Sequence, residues 1–212
     1  MRYPIKLVMP AFLAASLLAF SAPLFAETVE YTVDPDHTQV RFSWDHLGFS
    51  RPSAQFDEVS GSLRWDADQP TASSVEMTMP VASINSHVPL LDDKFVSEEF
   101  FDAEQFPIIT FKSTRIERAD ATDHFKVHGK LTAHGVTRPV VLDAELRKAA
   151  PHPMMKAPAL GFSAVTSFDR SEFGVDKFVP MVSDRVRIDI TVEAIEAKGY
   201  AKAIESRAES SE

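Results

Sequence analysis

Alternation of apolar and polar residues with a period of two is the feature that most restricts how this chain can fold. The clearest case spans residues 182–193. Two sets of side chains alternate there, Val182, Val186, Ile188, Ile190 and Val192 against Arg185, Arg187, Asp189, Thr191 and Glu193. Because neighbouring side chains of a strand point to opposite faces, this segment is predicted to be a strand with one buried and one solvated face.

Seven further segments show the same period, which gives eight predicted strands in all. They cover residues 40–46, 59–65, 75–81, 109–111, 125–133, 140–146 and 162–168. With one wet face on every strand, the sheet is predicted to be antiparallel or closed, as in an up-and-down barrel or a sandwich. The fold class predicted from this pattern is all-β.

Two segments interrupt the pattern, and the C-terminal tail lacks it. Residues 89–103 mix Leu and Phe with acids and are predicted to form one or two short helices. Residues 149–158 contain three Pro and are predicted to form a long loop. Residues 196–212 are charged without a convincing apolar face and are predicted to be disordered or loosely helical. A single domain over residues 27–195 is expected.

The first 26 residues have the layout of a secretory signal peptide. Arg2 and Lys6 precede an apolar stretch over residues 7–18, and no Asp or Glu appears before Glu27. The apolar stretch is short for a membrane span, and cleavage is predicted after Ala26. We therefore expect export, with no stable membrane insertion after the peptide is removed.

Charge and composition narrow the choice of partners. The net charge is −9, and loss of two basic residues with the signal peptide would leave −9 − 2 = −11. An acidic surface repels both nucleic acid and anionic lipid headgroups, so neither is an expected partner through bulk electrostatics. The chain has no Cys, so a buried core must stabilise it without disulfides. Its 16 Phe, against 3 Tyr and 2 Trp, favour a thick core or the wall of an apolar cavity.

A search for catalytic and metal-binding patterns finds nothing specific. The sequence lacks a G-x-S-x-G elbow, a phosphate-binding glycine loop and an H-E-x-x-H pair. The seven His are scattered. On a strand, the i, i+4 pair His124 and His128 would be about 13 Å apart, too far to share one zinc ion. We predict no catalytic residue, metal or cofactor.

Small residues are interspersed among the Phe of the predicted strands. They are Gly61, Gly129, Ala133, Ala144, Gly161 and Ala164. In a small barrel such residues could leave a lumen beside the Phe side chains, or they could mark bulges and tight corners. Both interpretations stay open from the sequence.

Five blocks in chain order carry a resemblance to a known family. They are YTVDPDHTQVRFSWDHLGFS, FDEVSGSLRWD, FVSEEFFDAEQFPIITFKST, GKLTAHGVTRPVVLDAEL and DRSEFGVDKFVPMVSDRVRIDI. From roughly Tyr31 to Ala194 the chain resembles the YceI-like family of periplasmic, lipocalin-like polyisoprenoid-binding proteins. Ala54 and the pair Lys94-Phe95 depart from the residues frequent in the family, the second near the expected barrel mouth.

The resemblance implies a periplasmic, extended, antiparallel, eight-stranded lipocalin-like barrel with a short helical insertion and no established enzymatic activity. The implied ligand is a polyisoprenoid or isoprenoid quinone in the apolar lumen, bound for storage or transport, with its headgroup near one end. The lumen role is carried over to the apolar positions that are predicted to face inward, Phe42, Trp44, Phe56, Met77, Phe100, Phe101, Phe111, Leu131, Phe162, Phe168 and Ile188. Candidate headgroup contacts at strand ends are Asp36, His37 and Arg170.

Two other functions stay open from the sequence. One is an enzyme that modifies an isoprenoid lipid at the barrel mouth. The other is a stress or structural protein whose barrel is filled by its own side chains and whose outer surface does the work. A homodimer is also left open.

Overall fold

The structure, a computed structural model, describes residues 28–210, so the predicted signal peptide over residues 1–26 lies outside the described residues. The strands are β1 (Val29–Val33), β2 (Gln39–His46), β3 (Ser53–Phe56), β4 (Ser60–Trp65), β5 (Ser74–Pro80), β6 (Ile84–Asn85), β7 (Ile108–Arg118), β8 (His124–Ala133), β9 (Val136–Pro151), β10 (Pro158–Asp169) and β11 (Val182–Glu196). The helices are α1 (Pro89–Val96), α2 (Ala197–Ser210) and short 3-10 helices at Pro35–His37, Pro70–Ala72, Val81–Ser83 and Arg170–Phe173.

The strands form one antiparallel sheet that closes on itself. The order around the ring is β1, β4, β5, β7, β8, β9, β10 and β11. Closure occurs where Tyr31 and Val33 of β1 pair with Glu196 and Ala194 of β11. The predicted eight-stranded antiparallel barrel is therefore confirmed.

Three positions of the barrel wall are each built from two shorter strands. β1 pairs with residues 194–196 of β11, and β2 pairs with residues 182–191 of the same strand. At the next wall position β4 pairs with β1 and β3 pairs with β2. At the one after it β5 pairs with β4 and β6 pairs with β3. In the described sheet β6 is the last strand on its side, and α1 with residues 97–107 connects it to β7. We call the end formed by β2, β3, β6 and α1 the mouth.

The sequence alternation predicts the inward faces correctly. Val40 and Phe42 are buried while Arg41 between them is exposed, and Val186 is buried between exposed Arg185 and Arg187. The pairing of β9 with β10 shifts register between Gly161 and Phe162. The extra residue is Arg147, so the bulge lies in β9 opposite Gly161.

The two predicted interruptions are shorter than the sequence indicated. Of residues 89–103, only Pro89–Val96 is helical, and turns follow it. The long loop predicted over residues 149–158 is wrong, because β9 continues to Pro151 and β10 begins at Pro158. These two prolines pair with each other at the ends of their strands, where a missing N–H costs little.

Of the two alternatives predicted for the C-terminal tail, the structure shows the helical one, since residues 197–210 form α2. Ala, Lys, Glu and Arg dominate the segment and favour a helix even without a strong apolar stripe. At its start the Glu196 carboxylate accepts a hydrogen bond from the Gly199 N–H at 2.7 Å. Neither α-helix of residues 28–210 has the length and apolar run required to cross a membrane.

The junction between β1 and β2 is organised by Asp34, which is 2% exposed. One carboxylate oxygen accepts from the Asp36 N–H at 3.1 Å, and the other lies 2.8 Å from His37 Nδ1. The hydrogen bond and the negative charge of Asp34 raise the pKa of His37 above its usual value. The protonated form of His37 is thus favoured in the folded state.

We predict that Gly129→Ala destabilises the barrel by about 1–3 kcal/mol through overpacking. An alanine Cβ at this position would overlap the Phe111 ring and lie 2.8 Å from the Lys112 carbonyl oxygen. At Gly161 the nearest atom, Arg147 Cβ, would be 3.9 Å away, so Gly161→Ala should change the stability by only about 0.5 kcal/mol. Urea unfolding measures both, and equal effects would contradict the close approach at Gly129.

We also predict that His37→Gln destabilises the protein more at pH 5.5 than at pH 8.5. Because the folded-state pKa of His37 is raised, its contribution is fully present below the unfolded-state value of about 6.5 and is lost as the pH rises through the folded-state pKa. Thermal melts at the two pH values measure the difference between variant and parent. His124→Gln is the control, since that exposed side chain has no carboxylate partner in the described residues. A difference that stays constant with pH would contradict the prediction.

Candidate functional site

The inward faces of the strands enclose a cavity of about 600 Å³. That volume lies within the range of pockets that enclose small molecules. The eleven positions predicted to form the lumen wall all line it: Phe42, Trp44, Phe56, Met77, Phe100, Phe101, Phe111, Leu131, Phe162, Phe168 and Ile188. Contact of these side chains with a ligand stays a prediction.

Aromatic rings close the cavity at the end opposite the mouth. Trp65, the last residue of β4, packs edge-on against Phe125 and Phe162, with ring centroids 5.8 and 5.5 Å apart. Trp65 and Phe125 are both buried. The cavity therefore has a closed apolar end.

At the mouth, Phe95 fixes α1 against the barrel wall. Its ring centroid lies 5.5 Å from that of Phe42, 5.6 Å from Trp44, 5.8 Å from Phe100 and 6.3 Å from Phe101. Aromatic pairs of this kind contribute about 0.5–1.5 kcal/mol each beyond their burial. Phe95 both anchors the helix and lines the cavity.

The cavity opens to solvent at the mouth. Among its lining residues, four are exposed, and all four lie at this end: His46, Ser50, Lys94 and Phe178. His46 ends β2, Ser50 follows in the turn to β3, Lys94 lies on α1, and Phe178 lies in the loop before β11. A ligand would enter and leave through this opening.

Arg170, a predicted headgroup residue, lines the cavity and holds the loop before β11. Its Nε donates to the Ser183 carbonyl at 3.0 Å and its Nη1 to the Val175 carbonyl at 2.7 Å. Its Nη2 donates to the carbonyls of Lys177 at 2.9 Å and Val182 at 3.3 Å. Burial lowers the pKa of the guanidinium. The described contacts of Arg170 position the mouth loop.

The structure does not bring Asp36 and His37, the other two predicted headgroup residues, to the cavity. Both are exposed on the 3-10 helix between β1 and β2. The ligand atoms of His37, Asp34 and Glu193 lie within 4.8 Å of one another. His152 Nε2 lies 3.1 Å from Glu193 Oε1, at ion-pair distance but not aligned as a hydrogen bond. This clustering could not be read from the sequence, and the expectation of no bound metal stays a prediction.

The sequence placed Lys94 and Phe95 near the expected mouth without assigning them to the cavity wall, and it gave no signal for Lys177 and Phe178. Phe95 and Lys94 belong to the helical insertion, where period-two parity gives no information about direction. Lys177 and Phe178 lie in a loop that only the fold places beside the turn after α1, where Lys177 Nζ lies 2.8 Å from Glu99 Oε1.

The chemistry that the cavity offers is burial of hydrocarbon. Its lining is apolar except for His46, Ser50, Lys94, Thr166, Arg170 and Lys177. Thr166 is the member of this set that lies within the barrel on β10, and the other five lie around the mouth. The arrangement is that of a long apolar pocket with a polar opening.

Comparison with solved structures identifies proteins with the same fold. The Burkholderia cenocepacia protein BcnA aligns with a TM-score of 0.69 at 24% identity, covering 76% of this chain and 98% of its own. A YCEI protein of Campylobacter jejuni aligns with a TM-score of 0.63 at 27% identity, covering 72% and 89%. A polyisoprenoid binding domain from Saccharophagus degradans, implicated in plant cell wall breakdown, aligns with a TM-score of 0.63 at 10% identity, covering 79% and 99%.

Sequence comparison agrees with this result. A UPF0312 protein of Shewanella baltica (strain OS185) is 31% identical over 192 residues, which cover 90% of this chain and 98% of the relative. The family model described as the YceI-like domain matches residues 31–194. This range covers the whole barrel apart from the first two residues of β1 and the last two of β11. The chain belongs to the YceI-like family.

Proposed function

We propose that this protein binds a long apolar lipid, a polyisoprenoid or isoprenoid quinone, in the barrel cavity and stores or transports it without catalysis. The observation that carries the proposal is the cavity of about 600 Å³, apolar along its length and open at the mouth. A packed barrel would not leave this space. Within the barrel interior of the described chain, Thr166 is the one polar lining residue, which supports a site that holds hydrocarbon along its length.

Simple energetics support a hydrocarbon ligand. Burial contributes about 0.8 kcal/mol per CH₂, so each five-carbon prenyl unit contributes roughly 3–4 kcal/mol before association costs. A few enclosed units would therefore give tight binding even after those costs. The apolar side chains of the wall need supply no specific contact, because the hydrophobic effect has no directional requirement.

The comparisons support the same proposal. The Saccharophagus degradans domain, which shares the barrel, is a polyisoprenoid binding domain. At 10% identity this likeness concerns the fold, and the shared fold makes an internal lipid site the natural use of the cavity.

Export to the periplasm belongs to the proposal and rests on the basic and apolar layout of residues 1–26. N-terminal sequencing of the mature protein should begin at or near Glu27. A mature protein that retains Met1 would contradict it.

The response of stability to lipid removal tests whether the cavity holds a ligand. In a packed core, shrinking Phe to Ala leaves a void that costs about 3–5 kcal/mol. In a lipid-filled cavity the flexible chain shifts into the gap. We therefore predict that Phe111→Ala and Phe162→Ala lose less stability in the lipid-loaded protein than in the delipidated protein, as measured by thermal and urea unfolding.

Leu160→Ala is the matched control. Leu160 is 2% exposed and does not line the cavity, so its truncation should cost about 2–5 kcal/mol whether or not lipid is bound. Equal, large losses for the two Phe variants in both states would show a barrel filled by its own side chains. That result would favour a protein that acts through its outer surface.

A further inference from the structure

Exposed large apolar side chains are concentrated around the mouth. Of the eleven that residues 28–210 expose, six lie in three segments that border the opening, and the other five lie in five separate parts of the chain. Clusters of this kind on a protein surface mark sites of contact with other molecules. We call the six the rim, and they are Leu47, Phe49, Val88, Leu90, Phe178 and Met181.

The sheet brings the three rim segments together. Val182 of β11 pairs with His46 of β2, so Met181 lies beside the turn that carries Leu47 and Phe49. Gln55 of β3 pairs with Asn85 of β6, which places the start of α1 beside the residues that follow the same turn. The rim therefore forms one surface, although its segments are far apart in the sequence.

The rim side chains project outward from the opening. Phe178 lines the cavity, whereas the other five members do not and so lie outside it. Phe49 is 90% exposed and Leu90 is 79% exposed. Separate protruding side chains can insert among the acyl chains of a fluid bilayer, whereas a folded partner would need a fitting pocket for each. The shape of the rim thus favours a bilayer.

The charges around the rim favour a bilayer without net charge. The segments that carry it, residues 45–52, 87–99 and 170–184, contain four Lys or Arg and eight Asp or Glu, a balance of 4 − 8 = −4. The bases are Arg51, Lys94, Arg170 and Lys177, and the acids are Asp45, Asp92, Asp93, Glu98, Glu99, Glu172, Asp176 and Asp184. This charge repels an anionic bilayer, and it also repels the same rim of a second copy. A surface of zwitterionic phospholipid does not oppose it.

We propose that the rim docks reversibly on a bilayer of zwitterionic phospholipid, with the mouth facing the acyl chains. A prenyl chain that left the cavity for water would lose the free energy of its burial. In the docked state the chain passes from the cavity wall over the rim into the bilayer, along apolar surface throughout. The purpose of docking rests on the proposed lipid-binding function, but docking itself can be measured without cargo.

Cosedimentation of the delipidated protein with vesicles tests the docking. We expect binding to phosphatidylcholine vesicles that persists at high salt, because the contact is apolar and salt screens only charges. Vesicles that also contain phosphatidylglycerol should bind the protein no more tightly, since the rim is surrounded by acids.

The double variant Phe49→Ser with Leu90→Ser should lower partition into phosphatidylcholine vesicles by at least about tenfold, because both side chains lose their contact with hydrocarbon. Met154→Ser is the matched control. Met154 is 77% exposed, close to the value for Leu90, but it lies between β9 and β10 at the closed end, so its replacement should leave partition unchanged. Thermal melts that match the parent show that the variants are folded.

Three results would overturn the docking. They are no binding to phosphatidylcholine vesicles, equal losses in the double variant and in Met154→Ser, or a dimer without vesicle binding that the double variant dissociates. The last result would assign the rim to a second copy of the chain. Titration of farnesol, added from ethanol, tests the cavity separately. A protein that binds farnesol but no vesicles retains the proposed function without docking, and one that binds vesicles through the rim but no farnesol retains docking without the proposed function.

Discussion

The cavity depends on the closure of the sheet between β1 and the end of β11. A sheet of alternating residues that stayed open would expose its apolar face and two unpaired edges. Closure removes those edges and directs every second side chain into one enclosed space. The pairing is short, with three residues of β1 opposite residues 194–196, yet it fixes which side chains face each other across the barrel. The same β11 continues along β2, so one strand supports both the closed part of the wall and the mouth.

The two ends of the barrel then acquire different properties. At the end opposite the mouth, where the ring of strands is complete, aromatic side chains such as Trp65 close the cavity. Where β6 ends without a neighbour on its far side in the described sheet, α1 covers part of the opening and Phe95 attaches it to the wall. The result is a pocket that is apolar and closed at one end and polar and accessible at the other. That polarity matches an amphiphile held by its chain.

The inward faces could be predicted from sequence because strand periodicity is local. Phe42, Phe111 and Ile188 follow from parity alone, and so does Phe162, because the bulge beside it lies in the neighbouring strand β9. Which residues meet at the mouth depends on pairing between segments that are distant in the sequence. Asp36 and His37 lie at a strand end like Arg170, but only the pairing of β1 and β2 with β11 shows that they face away from the cavity. The sequence left disorder and a loose helix open for residues 196–212, because the helix there depends on helix propensity and a capping contact more than on an apolar stripe.

Native mass spectrometry of the protein purified from exported material, before and after lipid extraction, tests the central claim most directly. The account predicts a mass increment of one bound lipid per chain that extraction removes, and a prenyl chain in the extract. A protein that carries no extractable lipid and does not take up a prenyl lipid after extraction would contradict it.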